Sequence, residues 1–418
     1  MRARLTLIFL SLVLLSAALA VGCAIYSNST STEWRALSSE EKAAARRAGD
    51  ERDLGIAADH GRKYKMALSH FENACRIYEK TFGSEHFYMS RNCYDDLCYA
   101  HYRLWDFEGA RKYCEKGMAL SQITEPQNIG QLARYENHFG VIEAGFHRCD
   151  AAFAHYERSE ALFAKSVRPT HVARPDQPAD PDRTWEIRVN VRACAAANAS
   201  GRPGDGLPYC EKALALADDS SGNHDYDRAL TLVQKGLVLK NLDRIDEAIP
   251  VLEAAIVESR RALGHYDMQT RNAQVALAKI YSHNGSLKSG EELFLEVLST
   301  YNLDTIIWSS QLVEIYNELA LNYRRQERGA DAVEAAENAV HFCVSNPYLA
   351  DEDWQAVENN LVAAKSMAGW GNETEADLRM RLEKQREEKL KEWRVLFGTK
   401  KDGAPKTAGE TAATHPVC

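Results

Sequence analysis

Seven small residues set a register along this chain: Ala67, Ala110, Ala152, Gly206, Ala248, Gly290 and Ala332. Their separations are 43, 42, 54, 42, 42 and 42 residues, and a further step of 42 reaches Thr374. A step this regular marks one supersecondary unit repeated end to end, each burying its apolar face against its neighbours. A large apolar residue follows four places after the small one, as in Ala67 and Phe71, Ala152 and Tyr156, Ala248 and Leu252, and Gly290 and Phe294. Four places is one helical turn, so the unit is helical. The one long step contains residues 167–183, which hold four prolines and no helical period, and is read as a loop insertion.

The same template recurs inside the units. Leu277-Ala278 and Tyr281 precede Asn284-Gly285, then Gly290, Phe294 and Val297. Leu319-Ala320 and Tyr323 precede Ala332, Ala336 and Ala339. The second unit has Leu97-Cys98, Asp106-Phe107, Ala110, Tyr113 and Lys116-Gly117. Two antiparallel helices approach closely only where small side chains face each other, and the larger residues fill the space to the next pair. Over Glu40 to Glu383 this template resembles the tetratricopeptide repeat. The usual unit of that family has about 34 residues. The longer step here is similar to the kinesin-light-chain variety, whose inter-repeat connection Glu79-Lys80-Thr81-Phe82-Gly83-Ser84-Glu85-His86 and Arg261 to Asp267 resemble. The resemblance implies an all-α solenoid, a right-handed superhelix of about eight antiparallel helix pairs. It is expected to close on a charged terminal helix at 384–397, within Asp377–Phe397, carrying Leu378, Leu382, Leu390, Trp393 and Phe397 as one apolar stripe.

The resemblance also implies a site. In this family the first helix of each pair lines a concave groove, and its groove-facing places carry over residue by residue. They fall on Asp95, Tyr99 and Tyr102 with Arg103 beside them, on Arg134 and Asn137, and on Arg188 and Asn198. The later units contribute Lys240, Asn272, Lys279, Asn317, Arg324 with the adjoining Arg325, and Asn359. This set is poor in acid although the chain carries a net charge of -9. Asn bonds a peptide backbone from both sides and Arg forks pair with carboxylates, so the expected partner is a protein or an extended peptide, acidic or offering its C-terminus. The bland alternative is an ordinary solvated helix face.

Residues 1–22 read as an export signal: Arg2 and Arg4, an uncharged stretch from Leu5 to Val21, then Ala20-Val21-Gly22 before Cys23. The last four residues resemble the lipobox of bacterial lipoproteins, which implies a lipid on Cys23, a membrane anchor and a place at the cell envelope outside the cytoplasm. Residues 23–39 are then a polar tether, and 398–418 a disordered tail. Among the remaining cysteines, Cys98 with Cys114 and Cys194 with Cys210 share one register and are candidate disulfides or small buried hydrophobes; Cys75 and Cys93 meet on the same terms. The acidic balance argues against nucleic acid. No nucleophile elbow, phosphate loop, dinucleotide fingerprint or Cys/His cluster with ligand spacing is found, so neither enzyme, metal nor cofactor is expected. Three functions remain: a scaffold for proteins at a bacterial envelope, a receptor for a small ligand or glycan on the concave surface using Tyr99 and Tyr102, and a self-associating structural module.

Overall fold

The computed structural model describes residues 34, 36–61, 63–166, 181–218, 224–301, 310–345, 351–371 and 373–397. The segment read as an export signal, Cys23, most of the segment read as a tether, positions 167–180 of the insertion and the segment 398–418 read as a tail lie outside the described residues. Among the described residues there is no strand, and no helix is long and apolar enough to cross a membrane. The sixteen α-helices are α1 Ser39–His60, α2 Tyr64–Phe82, α3 Asp95–Arg103, α4 Phe107–Thr124, α5 Ile129–Gly145, α6 Cys149–Lys165, α7 Pro181–Ala199 and α8 Pro203–Asp218. They continue with α9 Asp225–Asn241, α10 Ile245–Ala262, α11 Met268–His283, α12 Leu287–Ser299, α13 Ser310–Arg325, α14 Gly329–Val344, α15 Asp351–Ala368 and α16 Glu375–Phe397. A π-helical segment, Met89–Tyr94, leads directly into α3. The chain forms two compact units, Met1–Ile142 with Glu157–Gln177, and Glu143–Tyr156 with Pro178–Cys418.

The register read from sequence is the register of close approach. Ala67, Ala110, Ala152, Ala248 and Ala332 are all buried. At Gly206 an added Cβ would lie 2.8 Å from the Cys194 carbonyl oxygen, and at Gly290 it would lie 2.9 Å from that of Ala278. A second contact twelve residues before each small position meets the large residue four after it. Gly55 sits under Phe71, where a Cβ would come 2.6 Å from the ring, and Gly236 under Leu252. In two pairs this slot is filled from both sides by sulfur: Cys98 is bonded to Cys114 (Cα–Cα 5.3 Å) and Cys194 to Cys210 (5.5 Å). A third disulfide, Cys75–Cys93, ties α2 to the π-helical segment. The slots expected to take either packing residues or disulfides therefore carry bonded pairs.

The turns inside the pairs repeat too. A left-handed residue closes each one from the second pair on: Trp105, His147, Gly201, Asp243, Gly285, Glu327 and Gly369. In five of them the next N–H reaches back to the last helical turn, as Asp106 to His101 (3.0 Å) and Arg328 to Tyr323 (2.9 Å), the bond that satisfies helix-end carbonyls.

Four points differ from the sequence reading. Helix α1 starts at Ser39, where the Ser38 hydroxyl and the Glu41 carboxylate cap each other's backbone, so the array begins one residue early. Helix α7 takes in the last three positions of the insertion. Thr374 is not a small packing position: its hydroxyl accepts from the Asp377 N–H (3.2 Å), capping α16. The terminal segment 384–397 is not a separate element, because α16 runs unbroken from Glu375 and is the second helix of the eighth pair. Leu378 and Leu382 are its buried residues, and beyond them a cleft of about 540 Å³ opens among α14, α15 and α16.

Candidate functional site

The predicted groove residues project from the first helices, α3, α5, α7, α9, α11, α13 and α15, and each unit arranges them differently. In the first unit they mostly bond each other or the repeat before. The Tyr99 hydroxyl donates to Asp59 of α1 (2.8 Å), and Arg103 donates to the other oxygen of Asp59 (3.2 Å) and to the Tyr64 hydroxyl (2.9 Å). The same guanidinium lies 4.5 Å from the centre of the Tyr64 ring. Asp95 is buried against His138, with Nε2 3.2 Å from the carboxylate. Arg134 donates to Gln131. Tyr102 and Asn137 are buried, so they are packing residues and not a groove surface. Tyr99 and Tyr102 lie edge to face at 5.1 Å, one buried and the other committed to Asp59, which leaves little open ring for a sugar.

Two adjacent carboxylates here are tuned in opposite directions. Burial raises Asp95, but the bond from His138 and the positive charges of Arg134 and His138 outweigh it and hold the carboxyl below the ordinary range. Burial pushes Asp96 up to about 6, and the bond from Arg52 of α1 offsets only part of that. Burial also raises the Tyr99 hydroxyl.

In the second unit a ladder of polar side chains crosses from one first helix to the next. Arg188 donates to Asp227 (3.0 Å), and Asn241 donates to Asn198 (2.9 Å). Gln311 donates to Asn272 (2.7 Å). Lys279 is held by Glu314 (2.8 Å) and Glu318 (3.3 Å). Asn360 donates to the backbone and side-chain oxygens of Asn317 (2.9 Å each) and accepts from Arg324 (2.9 Å). Arg325 donates to the Ser282 carbonyl (2.8 Å), and the exposed Asn359 accepts from Arg379 at 3.3 Å. The face is therefore not poor in acid. Asp59, Asp227, Glu314 and Glu318 neutralise the cations that the sequence suggested were open. These acids answer their partners from 35 to 44 residues away, so only laying consecutive repeats side by side brings them into view.

Lys240 is different. It is half-buried on α9 and makes no ion pair among the described residues. Burial lowers its ammonium pKa, and the like charge of Lys279 lowers it further, against a smaller pull from Glu314 and Glu318. A cation so placed favours an incoming anion. Among the described residues no group of three His, Cys, Asp or Glu side chains is placed to hold a metal.

Antiparallel helix pairs at this step, each from the second on closed by a left-handed turn, form an all-α array of the tetratricopeptide-repeat kind. Models of the tetratricopeptide repeat match residues 52–88 and 229–256, that is α1–α2 and α9–α10. No curated protein matches the chain in sequence. Among solved structures, the apo form of RapI is similar at 10% identity and a TM-score of 0.57, covering 83% of this chain and 87% of that one. A Rap protein complexed with competence and sporulation factor is similar at 12% identity and 0.51, covering 84% and 90%. BtubC (BKLC) from P. vanneervenii is similar at 15% identity and 0.46, covering 57% and 91%. At these identities the likeness is one of fold.

Proposed function

We propose that this chain is an exported, lipid-anchored scaffold of a bacterial envelope, and that it holds an extended segment of a partner protein across the first helices α9, α11 and α13, with a partner carboxylate on Lys240. The observation that carries the site is the contrast between Lys240 and its neighbours. Lys279 and Arg188 are ion-paired and Arg324 is hydrogen-bonded within the ladder, whereas the Lys240 ammonium makes no ion pair among the described residues and feels Glu314 and Glu318 less than it feels burial and Lys279. A carboxylate arriving there gains a charge-assisted bond and relieves the Lys240–Lys279 repulsion. Neighbouring first helices lie roughly 10 Å apart, about three residues of extended chain, so one segment reaches several rungs.

The uncharged stretch from Leu5 to Val21 followed by Cys23 supports export and lipidation. The disulfides Cys75–Cys93, Cys98–Cys114 and Cys194–Cys210 support a compartment that keeps thiols oxidised. Radiolabelled palmitate is expected on the wild type and not on Cys23→Ser; an unlabelled wild type sinks the anchor. For the site, envelope proteins retained by the full chain are compared with those retained by Lys240→Glu and by Lys279→Met. Loss with Lys240→Glu alone is expected, and equal retention by all three removes Lys240 from the site.

A further inference from the structure

The entry to the first unit carries a half-buried aromatic ledge that the scaffold reading does not use. Phe82, His86, Phe87 and Tyr88, at the connection between α2 and the π-helical segment, stack on one another with ring centres 4.4 to 5.1 Å apart. Phe82 and Tyr88 lean on the apolar core of the unit, and Phe87 stands outside that core with Arg91 5.3 Å from its ring centre. The ledge sits beside the start of α1, where Glu41 lies within electrostatic reach of His86. Trp34, four residues ahead of the α1 cap, is likewise half-buried, with Arg46 5.9 Å from its ring. Rings that are apolar in body and polar at the edge are the side chains that settle at a membrane–water interface.

We propose that the occupant of this ledge is the surface of the bilayer that holds Cys23, so that the first unit rests on the membrane through Trp34 and Phe87. The proposal rests on the lipid anchor put forward above. Only residues 24–33 separate Cys23 from Trp34, and fully extended they span no more than about 40 Å. A tether this short keeps the ledge at a high effective concentration of lipid, so a weak interfacial preference is enough for docking. Arg91, the cation beside the Phe87 ring, is paired with Glu125, so the contact is driven by the rings and not by net charge.

The full lipidated chain is reconstituted in phosphatidylcholine vesicles with ordinary or brominated acyl chains, and the emission of Trp34 is taken as the difference between wild type and Trp34→Phe. Most of that emission is expected to be lost in brominated vesicles, with little change on adding salt, and recovered in Phe87→Ser. Chain that floats with the vesicles while Trp34 keeps its emission overturns the docking and leaves the anchor intact. Chain that does not float overturns both. A Trp34 signal that follows protein concentration instead of bromine, with a doubled mass in solution, assigns the ledge to a second copy and overturns the proposal.

Discussion

At the scale of single residues, the turns inside the pairs concentrate avoidable cost. Asp243 and Glu327 hold φ of 58° and 59°, positions that glycine fills at Gly201, Gly285 and Gly369. Asp243→Gly and Glu327→Gly are each expected to stabilise by about 0.5–1 kcal/mol, read as a raised urea midpoint; a lowered midpoint contradicts the reading of these turns. Asp96 gives a pH-dependent prediction. Folded, it keeps its proton up to about 6, above the ordinary value of 3.8 that it has when unfolded. Its contribution to stability is therefore complete below that ordinary value and is lost as pH rises through about 6. Asp95 has the opposite sign: its contribution is present above the ordinary value and is lost as pH falls through its lowered folded value. The stability of the wild type relative to Asp96→Asn should fall between about pH 4 and pH 7 in urea unfolding, and a flat or rising difference rules this out.

At the scale of the helix pair, one slot is solved in several ways. Glycine beneath a large side chain serves at Gly55–Phe71 and Gly236–Leu252, and a disulfide serves at Cys98–Cys114 and Cys194–Cys210. Closing a loop of about 15 residues by a disulfide is worth about 3 kcal/mol. Cys194→Ala with Cys210→Ala should therefore speed hydrogen exchange in α7 and α8 by orders of magnitude. Cys194→Gly with Cys210→Leu, which copies the Gly236–Leu252 pair, should recover much of that protection. Exchange equally fast in both variants would show that the slot depends on the covalent bond and not on its packing.

The pair was legible in the sequence because sterics enforce its small positions at a fixed step. The turn was not, because Trp105, His147, Asp243 and Glu327 disguise a position that glycine marks elsewhere. The state of the cysteines was open for a similar reason: a buried thiol and a bonded one satisfy the same slot.

At the scale of the whole molecule, sequence and structure agree on a repeat array and diverge on the character of its first-helix face. The cations from Arg103 to Arg325 are visible to anyone counting places along a repeat. The acids that pair with Arg103, Arg188 and Lys279, namely Asp59, Asp227, Glu314 and Glu318, belong to adjacent repeats and are recognised only once those repeats are stacked. Lys240, half-buried and in no ion pair among the described residues, is the charge on which the account turns. The most direct measurement places a photo-crosslinking side chain at His283, exposed on α11 beside the Lys240 rung, or at Val257, 67% exposed on the second helix α10. Irradiated in intact envelopes, the His283 chain is predicted to capture a partner protein, and adding Lys240→Glu to that chain is predicted to abolish the capture. Capture from Val257 alone, or capture from His283 that is indifferent to Lys240→Glu, would contradict it.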